Sequence, residues 1–308
     1  MIKRSFANIG VLFLFLLSLL PLQVLLFFAR FLYYLLYYII GYRKKVVRHN
    51  LTCSFPEKST PEIRDIEKKY FKYLADLVFE ILKMNTISKT EALKRVKFNN
   101  IDQINTHLKS GQSVLASTGH YGNWELCTLA LGLHIEAKTL VIYKPINNKV
   151  FEGWFNDLRT KYGNIFIAMR QTLRAVASHK HEPSLLCFAS DQSPARGDSS
   201  YFLPFLNQPT AALLGIEKIA KQTNRPIYYF KANVIKRGYY EVDIFPLCMD
   251  PSKTAEFEIT QLNFDFLERT IKETPQYWLW SHNRWKNKPD LQKQKYQVAN
   301  KSLEPLSA

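Results

Sequence analysis

The sequence predicts an α/β fold, with a mainly parallel central sheet flanked by helices and an apolar N-terminal helix leading into it. Three observations carry this. From Ser113 onward, strand-like and helix-like apolar runs alternate, as they do around parallel sheets. The stretch SVLASTGHYGNWE, Ser113 to Glu125, reads as a buried strand, a tight turn and a helix start. No charged residue occurs between Ser5 and Ala29. With 308 residues, 47% of them hydrophobic, the chain can bury one large core or two modest ones.

Taken in order, the N-terminal run is about long enough to cross a bilayer, which needs roughly 20 apolar residues. It has no small-x-small cleavage site, so it is expected to be retained. Pro21 splits it. It therefore forms either one spanning helix or two shorter ones whose Tyr-rich half (Tyr33, Tyr34, Tyr37, Tyr38) lies in a membrane interface, and in both cases residues 1–42 are an anchor. Arg43, Lys44, Lys45 and Arg48 follow, against Lys3 and Arg4 before it. That bias favours a cytoplasmic body and contact with anionic headgroups. A helix capped by Thr60 and opened by Pro61 keeps Ile63, Ile66, Tyr70, Leu74, Leu77, Ile81 and Met84 in phase. Another runs from Ile101 to Lys109 and ends ahead of Gly111. Strands are expected at 114–117, 140–143, 165–169, 185–189, 227–234 and 239–245, and helices at 123–133, 149–162, 172–178, 211–222 and 256–273. The last two strands, meeting at Arg237-Gly238, read as an antiparallel hairpin on the sheet edge. Residues 43–287 form the main domain, and 288–308 a polar tail.

Composition narrows the partners. The net charge of +16 calls for an anionic partner. Nucleic acid is disfavoured, because the cations are spread along the chain and no basic helix or RNA-binding motif occurs. Cys53, Cys127, Cys187 and Cys248 are scattered without a CxxC, so they are expected to be reduced and not zinc ligands. No cofactor or metal is expected.

Polar residues gather where the strands end, the usual location of function in open α/β sheets. His120 and Glu125 follow the first strand of the alternation, a base with a carboxylate in reach. Tyr143-Lys144-Pro145 with Asn147 follows the second, feeding a helix that ends near Arg159. Asp191-Gln192 closes the strand SLLCFAS and opens a loop containing Arg196. Beyond Pro275, the segment QYWLWSHNRWK interleaves aromatics with His282 and Arg284.

His120 to Glu125, HYGNWE, resembles the signature of the late acyltransferases of lipid A biosynthesis, the lauroyl and myristoyl transferase family within the wider glycerolipid acyltransferase superfamily. Tyr143-Lys144-Pro145, Arg159 with Gly163, Asp191-Gln192 and the QYxWxHxR block from Gln276 to Arg284 are similar to that family's other motifs and fall in the same order. Two departures are Phe205-Leu206-Asn207, where Phe-Phe-Gly is usual, and Trp285, where Phe is usual. The resemblance implies an enzyme moving an acyl chain from a thioester of acyl carrier protein, or acyl-CoA, to a hydroxyl of a membrane-bound anionic lipid A precursor. The location it implies is the cytoplasmic face of a bacterial inner membrane. In that scheme His120 is the general base and Glu125 accepts from its other ring nitrogen. Asp191 orients an Arg or the loop. Arg159, Lys144, Asp191, Gln192, Arg196, His282 and Arg284 contact substrate, and Trp124, Phe151, Trp154 and Phe155 wall an acyl slot. Backbone N–H groups of the Gly119–Asn123 turn, with Arg159, are candidates for the oxyanion donors. The alternatives are acylation of another lipid, such as a phosphatidylinositol mannoside or an ornithine lipid, and a non-catalytic membrane-anchored lipid-binding protein.

Overall fold

The structure is a computed structural model that describes residues 2–195 and 201–289. Arg196 and most of the expected polar tail lie outside these residues. In chain order the elements are α1 (Ile2–Ser18), α2 (Leu22–Tyr34), α3 (Lys44–Ser54), α4 (Thr60–Lys83), α5 (Lys89–Arg95), β1 (Val96–Asn99), α6 (Ile101–Lys109), β2 (Val114–Thr118), α7 (Trp124–Leu131) and β3 (Lys138–Tyr143). They continue through α8 (Lys149–Thr160), β4 (Ile165–Ala168), α9 (Thr172–Ser178), β5 (Ser184–Ala189), β6 (Phe202–Phe205), β7 (Gln208–Ala211), α10 (Gly215–Thr223), β8 (Ile227–Lys236), β9 (Tyr239–Cys248) and α11 (Glu258–Glu273).

Seven strands form one sheet in the order β1-β9-β8-β2-β5-β3-β4, and β6 and β7 form a small hairpin of their own. Only the β8–β9 pairing is antiparallel in the large sheet. β2 and β5 are central and buried along almost their whole length, which is why they read as unbroken apolar runs. One face carries a core of Leu126, Leu129 and Ala130 of α7 against Val114, Ala116 and Cys187. On the other, Ile216 and Ile219 of α10 and Ile259 of α11 pack on Leu115 and Leu186. A third cluster joins α3, α4 and α11 to the tryptophans at 278, 280 and 285.

Several details depart from expectation. The β8–β9 hairpin does turn at Gly238, which adopts φ +72°, but it is not the sheet edge, because β1 pairs in parallel outside β9. A four-residue strand is too short to leave a periodic signal. The helix expected at 211–222 begins only at Gly215, because Gln208–Ala211 is β7. Leu206 and Asn207, both left-handed at φ 50° and 61°, make the two-residue turn that pairs β7 with β6. α4 is capped by Ser59, not Thr60, in a reciprocal box with Glu62. Pro21 does separate two helices, and α2 runs on into a π-helical stretch, Leu35–Ile40, closed by Gly41.

Candidate active site

Two adjacent parallel strands bring the site together. Thr118 of β2 lies opposite Ala189 of β5, so the residues two places beyond each strand, His120 and Asp191, meet at the carboxyl edge of the sheet. His120 Nδ1 is 2.5 Å from Asp191 Oδ1, and the His120 backbone N–H donates to Oδ2 at 2.9 Å. Trp278 Nε1–H donates to the same Oδ2 at 2.8 Å. The turn between strand and helix tolerates little else. A Cβ at Gly119 would lie 2.7 Å from Leu267 Cδ1, and Gly122 has φ +60°.

These contacts set the charges. Burial alone would raise the Asp191 pKa, but the facing His120 and the three donors hold it well below the usual carboxylate range. Burial lowers the pKa of His120, and Asp191, with a smaller contribution from Glu125, more than offsets that and leaves it raised. With its Nδ1 proton donated to the ionised Asp191, His120 keeps a lone pair on Nε2. In this structure Nε2 faces the Gln192 side-chain nitrogen at 3.0 Å, and the Trp124 ring packs edgewise on the imidazole with centroids 5.1 Å apart.

Glu125, expected to hold the His120 ring, binds Arg159 instead. Arg159 Nε donates to Oε2 at 2.8 Å and Nη2 donates to Oε1. The cause is helix packing. Glu125 sits in the first turn of α7, which packs on α8, and a buried carboxylate is best matched by a two-pronged guanidinium. Asp191, expected to orient an arginine or the loop, is the ring's partner. The guanidinium also lies over Phe155 and Phe166, 4.9 and 5.3 Å from their ring centroids.

The remaining candidates spread out. Lys144 is exposed beyond β3. His282 Nε2 accepts from the Ser193 backbone N–H at 3.1 Å, and burial lowers its pKa to about 4, so it is neutral and braces the loop after Gln192. Arg284 is 1% exposed, donates to the Ala211 carbonyl at 2.6 Å, and has its pKa lowered to about 10 by burial. The expected turn donors at His120, Tyr121 and Gly122 are already engaged by Asp191, Gly119 and Tyr277.

Two contributions were not anticipated. The segment after Pro275 returns beside the turn as an extra strand-like contact. Gly122 donates to the Tyr277 carbonyl, Leu279 donates to the His120 carbonyl, and Tyr121 bridges to Trp278. Asn123 caps α7 by accepting from Leu126 N–H, while its amide donates to Glu80 Oε2 at 2.8 Å. Glu80 is fully buried and also accepts from the Tyr240 hydroxyl. Its sequence signal was an acid in phase with Tyr73, Leu77 and Met84 on the apolar face of α4.

Next to the turn, a small apolar hollow of about 40 Å³, partly open to solvent, lies between α7 and the sheet. Thr118 and Trp124 line it next to the turn, and Leu131, Phe98, Phe230 and Val242 line it across the strands. Of the four aromatics expected to wall a slot, only Trp124 is there. Trp154 donates to Asn85 and packs on the N-terminal helices, and Phe155 faces Arg159. The described residues contain no cluster of acidic, His or Cys side chains able to hold a metal ion.

Comparison with known proteins agrees with these motifs. The profile of the bacterial lipid A biosynthesis acyltransferase family matches residues 1–287. A lipid A biosynthesis acyltransferase of Haemophilus influenzae is 23% identical over 247 residues, covering 78% of this chain and 76% of its own length. Two Escherichia coli enzymes, a lipid A biosynthesis palmitoleoyltransferase and a lauroyltransferase, are 24% and 21% identical, each match covering 80% of both chains.

Proposed function

The chain belongs to the bacterial lipid A biosynthesis acyltransferase family and is an acyltransferase, and on that premise we propose that it moves a fatty acyl group from the thioester of acyl carrier protein to a hydroxyl of a lipid A precursor. The observation that carries the mechanism is the Asp191–His120 pair, with the imidazole's second nitrogen directed away from the carboxylate.

An alcohol attacks a thioester at neutral pH only if its proton is removed as the new bond forms. His120 Nε2 takes that proton, the acceptor hydroxyl replacing the Gln192 amide that faces it in this structure. The oxygen bonds to the thioester carbon, the tetrahedral intermediate collapses, the carbon–sulfur bond breaks, and the imidazolium returns the proton to the departing sulfur. Asp191 fixes the tautomer and stabilises the imidazolium without itself becoming protonated. Glu125 acts one step removed, holding Arg159 and adding negative potential at the imidazole. Arg159 uses Nε and Nη2 on Glu125, which leaves Nη1 to face an oxyanion or a substrate phosphate. The +16 charge suits an acidic carrier protein and an anionic acceptor.

The test is the lipid A of a strain lacking the protein. One secondary acyl chain should be missing by mass spectrometry, restored by the wild-type chain and not by His120→Ala, whose transfer rate should fall by roughly 10²–10⁴-fold. Unchanged lipid A in the deletion strain, or full restoration by His120→Ala, would overturn the reading.

A further inference from the structure

Leu22–Ile40, comprising α2 and the π-helical stretch, is long and apolar enough to cross a membrane. Its packing is inconsistent with that use. Leu22, Leu25, Leu26, Ala29, Tyr33 and Tyr37 form one continuous buried stripe laid along α4, from Leu82 at one end to Phe71 at the other. Polar bonds fix the same alignment. Lys83 Nζ donates to the carbonyls of Ser18 and Leu20 at 2.9 and 3.0 Å, and Arg237 donates to the Leu26 carbonyl at 3.0 Å. A bilayer that took in α2 from end to end would have to take in α4 beside it, with Lys68, Lys69 and Lys72 exposed on its surface. Each such charge costs about 3 kcal/mol at a membrane centre.

The outward face of α2 is apolar and aromatic. Phe27, Phe28, Phe31, Tyr34 and Tyr38 are exposed, Phe31 by 60%. Arg30 is exposed among them, one residue from the midpoint of the 19-residue run, the worst region for a cation in a spanning helix. Lys45, also exposed, follows the run. The apolar part of α1, Ala7–Ser18, is twelve residues, or about 18 Å at 1.5 Å per residue, short of the roughly 30 Å hydrocarbon thickness.

We infer that α2 does not span the membrane but lies in its plane. Phe27, Phe31, Tyr34 and Tyr38 sink to the acyl–headgroup boundary of an anionic leaflet, and Arg30 and Lys45 reach its phosphates. The occupant of this surface is lipid, not a second protein, because cations set among tyrosines on an apolar face match an anionic interface in both charge and polarity. The arrangement also links membrane and chemistry through α8. Trp154 packs against the cluster of Leu22, Leu25 and Leu26, the next residue, Phe155, meets Arg159, and Arg159 binds Glu125 at the site. The inference concerns membrane geometry and stands whether or not the proposed reaction is correct.

The experiment uses the full chain, with Cys53→Ser, reconstituted into phosphatidylglycerol–phosphatidylethanolamine bilayers. Single cysteines at Phe27, Phe31, Tyr34 and Tyr38, surface positions whose replacement leaves the core intact, carry a fluorophore whose depth is read by lipid-borne quenchers. An in-plane helix gives the same shallow depth at all four. A depth profile deepest at Phe31 and shallow at Tyr38 would overturn the inference, as would self-quenching between labels without lipid quenching, which marks a protein–protein interface. As a second arm, Arg30→Gln with Lys45→Gln should weaken binding to phosphatidylglycerol vesicles by roughly twenty- to thirtyfold and leave phosphatidylcholine binding nearly unchanged. Equal losses on both lipids would remove the anionic leaflet from the proposal.

Discussion

At the scale of the residue, His120 is governed by three charged neighbours. Burial pulls its pKa down, Asp191 and Glu125 push it up, Arg159 pulls it down, and the balance is a raised value. A base must be unprotonated to work, so transfer should rise with pH through an ionisation above the ordinary histidine value of 6.5. In Asp191→Asn the largest raising charge is gone. The acid limb of the pH–rate profile should move to lower pH while the plateau falls by roughly 10²-fold or more. An unshifted limb would mean that Asp191 is a structural residue only. His120 was visible in the sequence because HYGNWE names it, but its partner was not. Glu125 lies five residues away and Asp191 seventy-one, and proximity along the chain favoured the carboxylate that the fold pairs with Arg159.

At the scale of the element, the turn that carries His120 hangs from α4. Glu80 receives the Asn123 amide and so holds the cap of α7. Burial raises its pKa from 4.5 to about 7, with Asp76 adding to the shift and the Tyr240 and Asn123 hydrogen bonds and Arg95 opposing it. An acid whose folded pKa is raised stabilises the fold fully below its unfolded value. That contribution is lost as pH rises from about 4.5 to about 7. The loss is of order 3 kcal/mol. Glu80→Gln should therefore flatten the fall of Tm between pH 5 and 7 while keeping the cap, and an unchanged slope would place the titration elsewhere. Long periodic helices such as α4 were legible because their apolar phase repeats many times. β1, β6 and β7 were not, since four residues cannot establish a period and the left-handed Leu206-Asn207 turn has no Gly to announce it.

At the scale of the whole molecule, the charge of +16 acts on encounter more than on folding. With a carrier-protein thioester as donor, kcat/KM should fall at least tenfold from low to high salt, whereas an uncharged short thioester should be nearly indifferent. Equal salt dependence for both donors would remove carrier-protein docking from the account. α2 and the site share one body through α4 and α8, so on the proposed in-plane placement a lipid acceptor would stay in its leaflet while its headgroup reaches the site.

The sequence by itself determined the α/β alternation, the apolar N-terminus broken at Pro21, the family motifs and the histidine proposed as the base. Apolar period, helix punctuation and motif spacing are local properties that survive being read one residue at a time. Tertiary structure alone decided that Asp191 and not Glu125 holds His120, that Glu125 belongs to Arg159, and that α2 lies along α4. Each of these depends on which strands are neighbours and which helix faces meet, and that is settled by burial across the whole chain.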